Sequence, residues 1–257
     1  MIRTINIEKS FGDNQVLKGI TTEFYDGRPN LIIGASGAGK TVLLKLLIGL
    51  FTPTSGQVMY DDINIFDLNK KELRQIRMTI GMLFQGNALF DSMTVGENIQ
   101  FPMDMFTRRT LKEKRMRVDQ CLEMVNMEGI NNRYPSEVSG GMQKRVGIAR
   151  AMVLEPKYLF CDEPNSGLDP QTSILIDELI CDLTVRNNIT TVINTHDMNS
   201  VMGIGDNILL MKNGHVAWRG DKSQVLESDN KTLEDFIFAS PFLRRLREDA
   251  LKLRHGE

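Results

Sequence analysis

Apolar and polar residues alternate from Thr4 to Ile7, and again at Ile20, Thr22 and Phe24, the period of two expected of half-buried strands. Gly12-Asp13-Asn14-Gln15 between them reads as a turn. Leu31-Ile32-Ile33 is apolar on both faces, as a fully buried strand is. The pattern then lengthens to helical spacing over Thr41–Leu50, a helix expected to end at Thr52-Pro53. Val58-Met59-Tyr60 returns to strand. From residue 86 to 153 helical periodicity dominates, with many methionines, and predicts an inserted helical subdomain. Strand and helix alternate again from Tyr158: a strand to Cys161, a helix over Gln171–Leu183, and a strand over Thr190–Asn194. Ile208–Met211 and Val216–Trp218 flank Asn213-Gly214, a strong hairpin signal. Thr232–Glu257 reads as helix, with Pro241 opening a second piece. Strands alternating with helices predict a largely parallel α/β sheet.

Composition narrows the picture modestly. A chain of 257 residues with a net charge of −2 can bury a sizeable core and has no overall pull toward nucleic acid or anionic lipid. The basic run Arg108–Arg117 is interrupted by Glu113 and followed by Asp119, so it reads as a solvated helix face. Three scattered cysteines, Cys121, Cys161 and Cys181, fit neither a disulfide framework nor a zinc site and point to a reducing compartment. The chain opens directly on strand alternation, without the basic-then-apolar pattern of a signal segment. No apolar run approaches the length of a membrane span, so a soluble protein is expected, with any membrane role reached through a partner.

The chemistry begins at Gly34-Ala35-Ser36-Gly37-Ala38-Gly39-Lys40-Thr41, which fits the phosphate-loop pattern G-x-x-x-x-G-K-[ST]. Glycines let the backbone curl its N–H groups toward an anion, and the helix that follows adds its positive end. Lys40 is expected to reach the β- and γ-phosphates and the Thr41 hydroxyl to ligate Mg²⁺. The motif follows an apolar strand and opens a helix, the context it requires. Asp162 and Glu163 end the apolar strand Tyr158–Cys161. Adjacent carboxylates there call for a cation: Asp162 for Mg²⁺, Glu163 to take a proton from an attacking water.

Weaker signals stand beside these. Gln85 ends the run Ile80–Phe84 at the junction with the helical insert, where it can touch metal and water. His196 follows the strand ending at Asn194, at the sheet edge where ligands bind in open α/β folds. Phe11 is open to two readings, stacking on a base or core packing. Ser139-Gly140-Gly141 starts a helix running to about Leu154 with Ser139 as N-cap, a second anion site that a second molecule can bring to the phosphate loop.

Phe11, the loop Gly34–Thr41, Gln85, Ser139-Gly140-Gly141, Asp162-Glu163, Ser166–Asp169 and His196, in that order, resemble the ATP-binding-cassette (ABC) ATPases over residues 1–222. The resemblance implies a RecA-like core with a mostly parallel sheet, an antiparallel β subdomain and an inserted helical subdomain over about 86–153, followed by a helical tail over 223–257. It implies ATP and Mg²⁺ as ligands. Glu163 is then the general base, with His196 and Gln85 positioning γ-phosphate and water. The nucleotide contacts implied are Phe11, Val16, the loop residues Gly34, Ala35, Ser36, Gly37, Ala38, Gly39, Lys40, Thr41 and Val42, and Ser139, Gly140, Gly141 and Asp169. Thr41, Gln85 and Asp162 are implied at the metal. The family works as a head-to-tail dimer beneath paired membrane subunits.

A narrower likeness lies in Gly81–Val95, Glu97-Asn98-Ile99, Phe101-Pro102, Met142 and Thr195–Ser200, which is similar to the Mla-type lipid transporters that work with MCE-domain proteins. It implies phospholipid as cargo. The partners implied are an integral membrane permease and an MCE-domain lipid-binding protein, with a small accessory protein as an optional addition and no nucleic acid. The location implied is cytoplasmic, on the inner face of the cytoplasmic membrane. An amino acid, a lipoprotein or a drug is the alternative cargo; a soluble cassette acting on DNA or ribosomes would carry long coiled-coil insertions or tandem cassettes, which are absent. Val138 stands where Leu is commonest, Asn165 where Thr is, and Asn194 replaces an apolar residue. The tail carries Arg244, Arg245, Arg247, Lys252 and Arg254 around Phe242, Leu243, Leu246 and Leu251, for packing on its own domain or for a dimer, regulatory or headgroup contact.

Overall fold

The computed structural model describes residues 1–86, 88–239, 244, 245 and 247. In chain order the strands are β1 (Ile2–Phe11), β2 (Asn14–Phe24), β3 (Pro29–Ile33), β4 (Ser55–Tyr60), β5 (Ile63–Asn64), β6 (Ile80–Leu83), β7 (Tyr158–Asp162), β8 (Thr190–Asn194), β9 (Asn207–Lys212) and β10 (His215–Gly220). The helices are α1 (Lys40–Leu47), α2 (Lys70–Met78), α3 (Val95–Phe106), α4 (Leu111–Met124), α5 (Gly140–Met152), α6 (Pro170–Arg186), α7 (Met198–Ile204), α8 (Lys222–Val225) and α9 (Lys231–Ile237). They divide between two compact units, 1–25 with 29–66 and 194–257, and 26–28 with 67–193.

The first unit holds an antiparallel sheet in the order β2-β1-β4-β5 and the run β10-β9-β3, in which β3 and β9 are parallel. The alternation seen in sequence is realised in β2, where Ile20, Thr22 and Phe24 are buried, but not over Thr4–Ile7 of β1: a bulge there, with Asn6 at φ 49°, leaves Ile5 exposed while Thr4 and Ile7 are buried. All of β3 is buried, consistent with its unbroken apolar character. Helix α1 buries Leu43, Leu44, Leu46 and Leu47. It stops at Leu47, short of the expected end at Thr52-Pro53. Gly49 adopts φ 68°, a left-handed conformation that takes the chain out of the helix. The Tyr60 hydroxyl donates to the Leu47 carbonyl at 2.9 Å and ties β4 to that end. Asn213 (φ 53°) and Gly214 (φ 82°) make the β9–β10 turn, as the sequence predicts.

The second unit carries the run β8-β7-β6, with β6 and β7 parallel, and the helical insert. Helix α2 is an element the hydrophobic pattern did not predict. None of its residues is fully buried, and its apolar stripe is short, with Leu73 and Ile76 one turn apart and half-buried; a capping box formed by Asn69 and Glu72 starts it. Capping boxes at Thr94/Glu97 and Thr110/Glu113 start α3 and α4. Hydrogen bonds from Thr94 and Thr110 hold the Glu97 and Glu113 carboxyls below the usual glutamate range. The basic run is only partly the solvated face expected of it. Arg117 is buried and donates to the carbonyls of Val153 (3.1 Å) and Met152 (2.8 Å), closing the C-terminal end of α5.

The three cysteines are free thiols. Among the described residues no helix is long and apolar enough to cross a membrane. In the tail, Arg247 donates to the carbonyls of Leu226 and Ser228 and pairs with Glu234 at 3.3 Å, packing on its own unit. Pro241, Phe242, Leu243, Leu246, Leu251, Lys252 and Arg254 lie outside the described residues.

Candidate nucleotide-binding site

The phosphate loop follows β3 without a break. Gly34 has φ 145°, and a Cβ there would lie 2.3 Å from the Met211 carbonyl oxygen; only glycine fits. Gly39 is the N-cap of α1 at φ 100° and presses on β2, where a Cβ would meet Leu17 Cδ2 at 2.7 Å and the Val16 carbonyl oxygen at 3.3 Å. Half-buried Val16 therefore borders the loop directly. Ala35, Ser36 and Gly37 are exposed at its rim, whereas Ala38 is buried beneath, its carbonyl accepting from Gly214 N at 3.3 Å. No acidic residue stands in the first turn of α1 to oppose an anion at the positive helix end.

Lys40 is buried and folded back into the loop, its Nζ donating to the carbonyls of Gly34 (2.8 Å) and Ala35 (3.1 Å). Thr41 is exposed, and its Oγ1 accepts from Asn194 Nδ2 at 3.3 Å. Asn194 thus contacts the very hydroxyl expected at a metal, a relation that its departure from an apolar residue did not disclose. Half-buried Val42 follows on the same turn. The Thr195 amide donates to the Ile32 carbonyl at 3.1 Å, so exposed His196 emerges level with the start of the loop. Phe11 is 45% exposed and does not pack in the core. Its ring meets Phe51 edge-on at 5.5 Å, with Lys9 Nζ 4.9 Å from its centroid.

The second unit carries the two carboxylates. Asp162 ends β7, and Glu163 adopts φ 49°, a left-handed conformation costly for a non-glycine residue and concentrated at functional sites. Gln85 Nε2 donates to Glu163 Oε2 at 2.9 Å, bringing together two residues the sequence singled out separately. The Gln85 carbonyl accepts from Lys144 Nζ at 2.7 Å. Lys144 is 2% exposed, and burial pushes its ammonium below the usual lysine range. Sequence reasoning passed over Lys144. The available signal was its position on the face of α5 that also carries buried Gly147, Ile148 and Ala151.

Ser139 caps α5 as expected, its Oγ accepting from Met142 N at 3.3 Å. No acidic residue follows in the first turn. Gly141 lies against α6, where a Cβ would fall 2.7 Å from Thr172 Cγ2. Asp169 caps α6 through Thr172, whose side-chain and backbone hydrogen bonds hold its carboxyl below the usual range. Asn165 donates to Asp177 at 2.9 Å within the buried interior. Taken unit by unit, the Thr41 hydroxyl of the first and the Asp162 carboxylate and Gln85 amide oxygen of the second are oxygen donors of the type that a hard cation such as Mg²⁺ takes. Among the described residues no cluster of three His, Cys, Asp or Glu forms an all-protein metal cage.

The family model for ABC transporters matches residues 17–166. A probable ribonucleotide transport ATP-binding protein, mkl, of Mycobacterium leprae is 37% identical over 236 residues, covering 92% of this chain and 68% of that protein. The methionine import ATP-binding protein MetN 2 of Listeria innocua is 41% identical over 229 residues, covering 88% of this chain and 67% of that one. The chain thus spans about two thirds of the length of these curated relatives. Among solved structures, a dimeric ATP-binding cassette in a post-hydrolysis state bound to ADP and Pi has TM-score 0.78 and 33% identity, covering 86% of this chain and 99% of that one. CbiO1 of Clostridium perfringens, part of an ABC transporter complex, has TM-score 0.83 and 30% identity, covering 96% and 98%.

Proposed function

The chain belongs to the ABC transporter family as an ATP-binding subunit, an ATPase, and we propose that two copies of it, head to tail, power phospholipid transport with a membrane permease and an MCE-domain protein. In this reading the main-chain amides of the loop from Gly34 to Thr41 and the Lys40 ammonium hold the β- and γ-phosphates of ATP. Phe11 stacks on adenine, its ring being exposed rather than packed in the core, with Val16 beside the loop and Val42 on the first turn of α1. Thr41, Asp162 and Gln85 are the oxygen donors for Mg²⁺, which when bound neutralises phosphate charge. Glu163 accepts the proton of the attacking water, Gln85 orients that water, and His196 donates to the γ-phosphate. The partner copy brings Ser139, Gly140 and Gly141, whose helix start carries no acidic residue to oppose an anion, and Asp169. The chain itself works from the cytoplasmic face of the inner membrane.

One observation carries the lipid assignment: the stretch Gly81–Met105 with Met142 is similar to the lipid-transport cassettes. That stretch also presents Phe90, Met105 and, just beyond it, Phe106 at 40–55% exposure, apolar surface suited to a membrane subunit. The methionine-import relative favours a second reading, amino-acid cargo. Affinity purification from the native membrane separates the two. Recovery of a polytopic permease together with an MCE-domain protein supports lipid; recovery of a permease with a solute-binding protein alone overturns it in favour of the second reading.

A further inference from the structure

Gln85 is gripped at both ends. Its side chain donates to Glu163, and its backbone carbonyl accepts from Lys144 on α5. A second cation of the same helix, Arg150, donates to the Ala88 carbonyl at 2.6 Å, next to the left-handed turn at Ala88 (φ 48°). Farther along, buried Asn98 of α3 pins the continuation: its Oδ1 accepts from Phe90 N at 2.8 Å, and its Nδ2 lies 3.0–3.1 Å from the carbonyls of Phe90, Met93 and Thr94. A fully buried lysine is rare unless it is paired. Here the ammonium hydrogen-bonds a main-chain carbonyl, with the Glu163 carboxylate close enough to favour its charge. A neutral side chain of the same length would fill that space as well, so packing alone does not require the ammonium.

We infer that Lys144 is a positioning residue for hydrolysis: from the helix that begins at Ser139-Gly140-Gly141, it fixes the Gln85 backbone so that the Gln85 amide is held on the Glu163 carboxylate, with Arg150 as the second tether. The start of α5 and the general base are thereby linked through one hydrogen-bonded path, Lys144 to Gln85 to Glu163, and a displacement of α5 pulls directly on Gln85. This rests on Glu163 and Gln85 acting as proposed above.

The test uses the full chain carrying Lys144→Met, which keeps length and removes the donor, and Lys144→Arg, which keeps a donor. Amide hydrogen exchange at Ala88 and Phe90, whose N–H groups donate to the Gly86 carbonyl and to Asn98 Oδ1, should quicken at least about fivefold in Lys144→Met while α5 keeps its protection. ATP turnover should lose about tenfold in kcat, as for a misplaced positioning group, with KM for ATP within about twofold. Lys144→Arg should recover most of both. Arg150→Met should shift exchange at Ala88 in the same direction, by less, and covers the case in which Lys144→Met folds poorly. Unchanged exchange at Ala88 and Phe90, exchange rising equally throughout α5, or kcat and KM moving together would overturn the inference. If the unsubstituted chain fails to hydrolyse ATP, the proposed function falls, and exchange alone still decides the tether.

Discussion

Gln85 Nε2 stands 2.9 Å from Glu163 Oε2, across 78 positions of sequence, and joins the end of β6 to the end of β7. The bond leaves Gln85 Oε1 available as an acceptor and presents Glu163 as a carboxylate already engaged by one donor. Replacing Glu163 by Gln keeps the shape and removes the proposed base. Hydrolysis should fall by at least about a hundredfold, the lower range for loss of a general base, while ATP still binds. Single-turnover assays with radiolabelled ATP measure the first and equilibrium dialysis the second. Normal turnover by Glu163→Gln would show that the base lies elsewhere.

The start of α5 offers its amides outward with Ser139 as cap and no acidic neighbour in the first turn. Ser139→Arg removes the cap and fills the turn with a long cation. We expect ATP affinity per chain to hold within about twofold, because the phosphate loop is untouched. Nucleotide-dependent dimerisation should disappear. Moving a two-state pair from mostly open to mostly closed takes about 5.5 kcal/mol of differential binding, and charge-assisted bonds to two shared γ-phosphates are the proposed source. Light scattering with ATP in the Glu163→Gln background reads this out. A Ser139→Arg chain that still dimerises on ATP, or full activity in monomers, would refute the shared site.

Glycine at 34 answers to a different constraint from glycine at 37. Both have positive φ, but a Cβ at 34 collides with the Met211 carbonyl oxygen at 2.3 Å, whereas nothing lies within 4 Å of one at 37. Gly37→Ala meets only backbone strain, about 1–3 kcal/mol. Gly34→Ala meets strain and a backbone clash, and should lower the melting temperature further than Gly37→Ala. Differential scanning fluorimetry without nucleotide compares them; equal shifts would mean the loop yields freely around position 34.

Much of this was legible in the sequence because the informative signals are local. Period-two alternation placed β2 and located β1 without its bulge at Asn6, the unbroken apolar run placed β3, and Ser139 and Asn213-Gly214 marked a helix start and a hairpin through their own short-range chemistry. What escaped was either unmarked by hydrophobicity or long-range. Helix α2 buries no residue fully, and its stripe, Leu73 and Ile76 one turn apart, is too short to stand out beside the capping box. Asn194 and Thr41 meet across 153 positions, and Lys144 reaches Gln85 across 59; neither bond has a periodicity. Charge misled at Arg117, since a basic residue in a basic run reads as solvent-facing until the carbonyls it caps are seen.

Arg117 supplies the last prediction. Its guanidinium is buried and satisfies the carbonyls of Met152 and Val153 at the end of α5, while Glu155 stands 3.7 Å away at the rim. Arg117→Met preserves the apolar stem and strands those carbonyls away from water. Hydrogen bonds to a charged donor contribute about 1.5–3 kcal/mol, and the loss should be of that order. Arg115, exposed two positions earlier in the same run, should tolerate the same substitution within about 0.5 kcal/mol. Urea titration followed by fluorescence compares the midpoints. If the two variants unfold together, Arg117 is an ordinary surface residue and the end of α5 is held by packing alone.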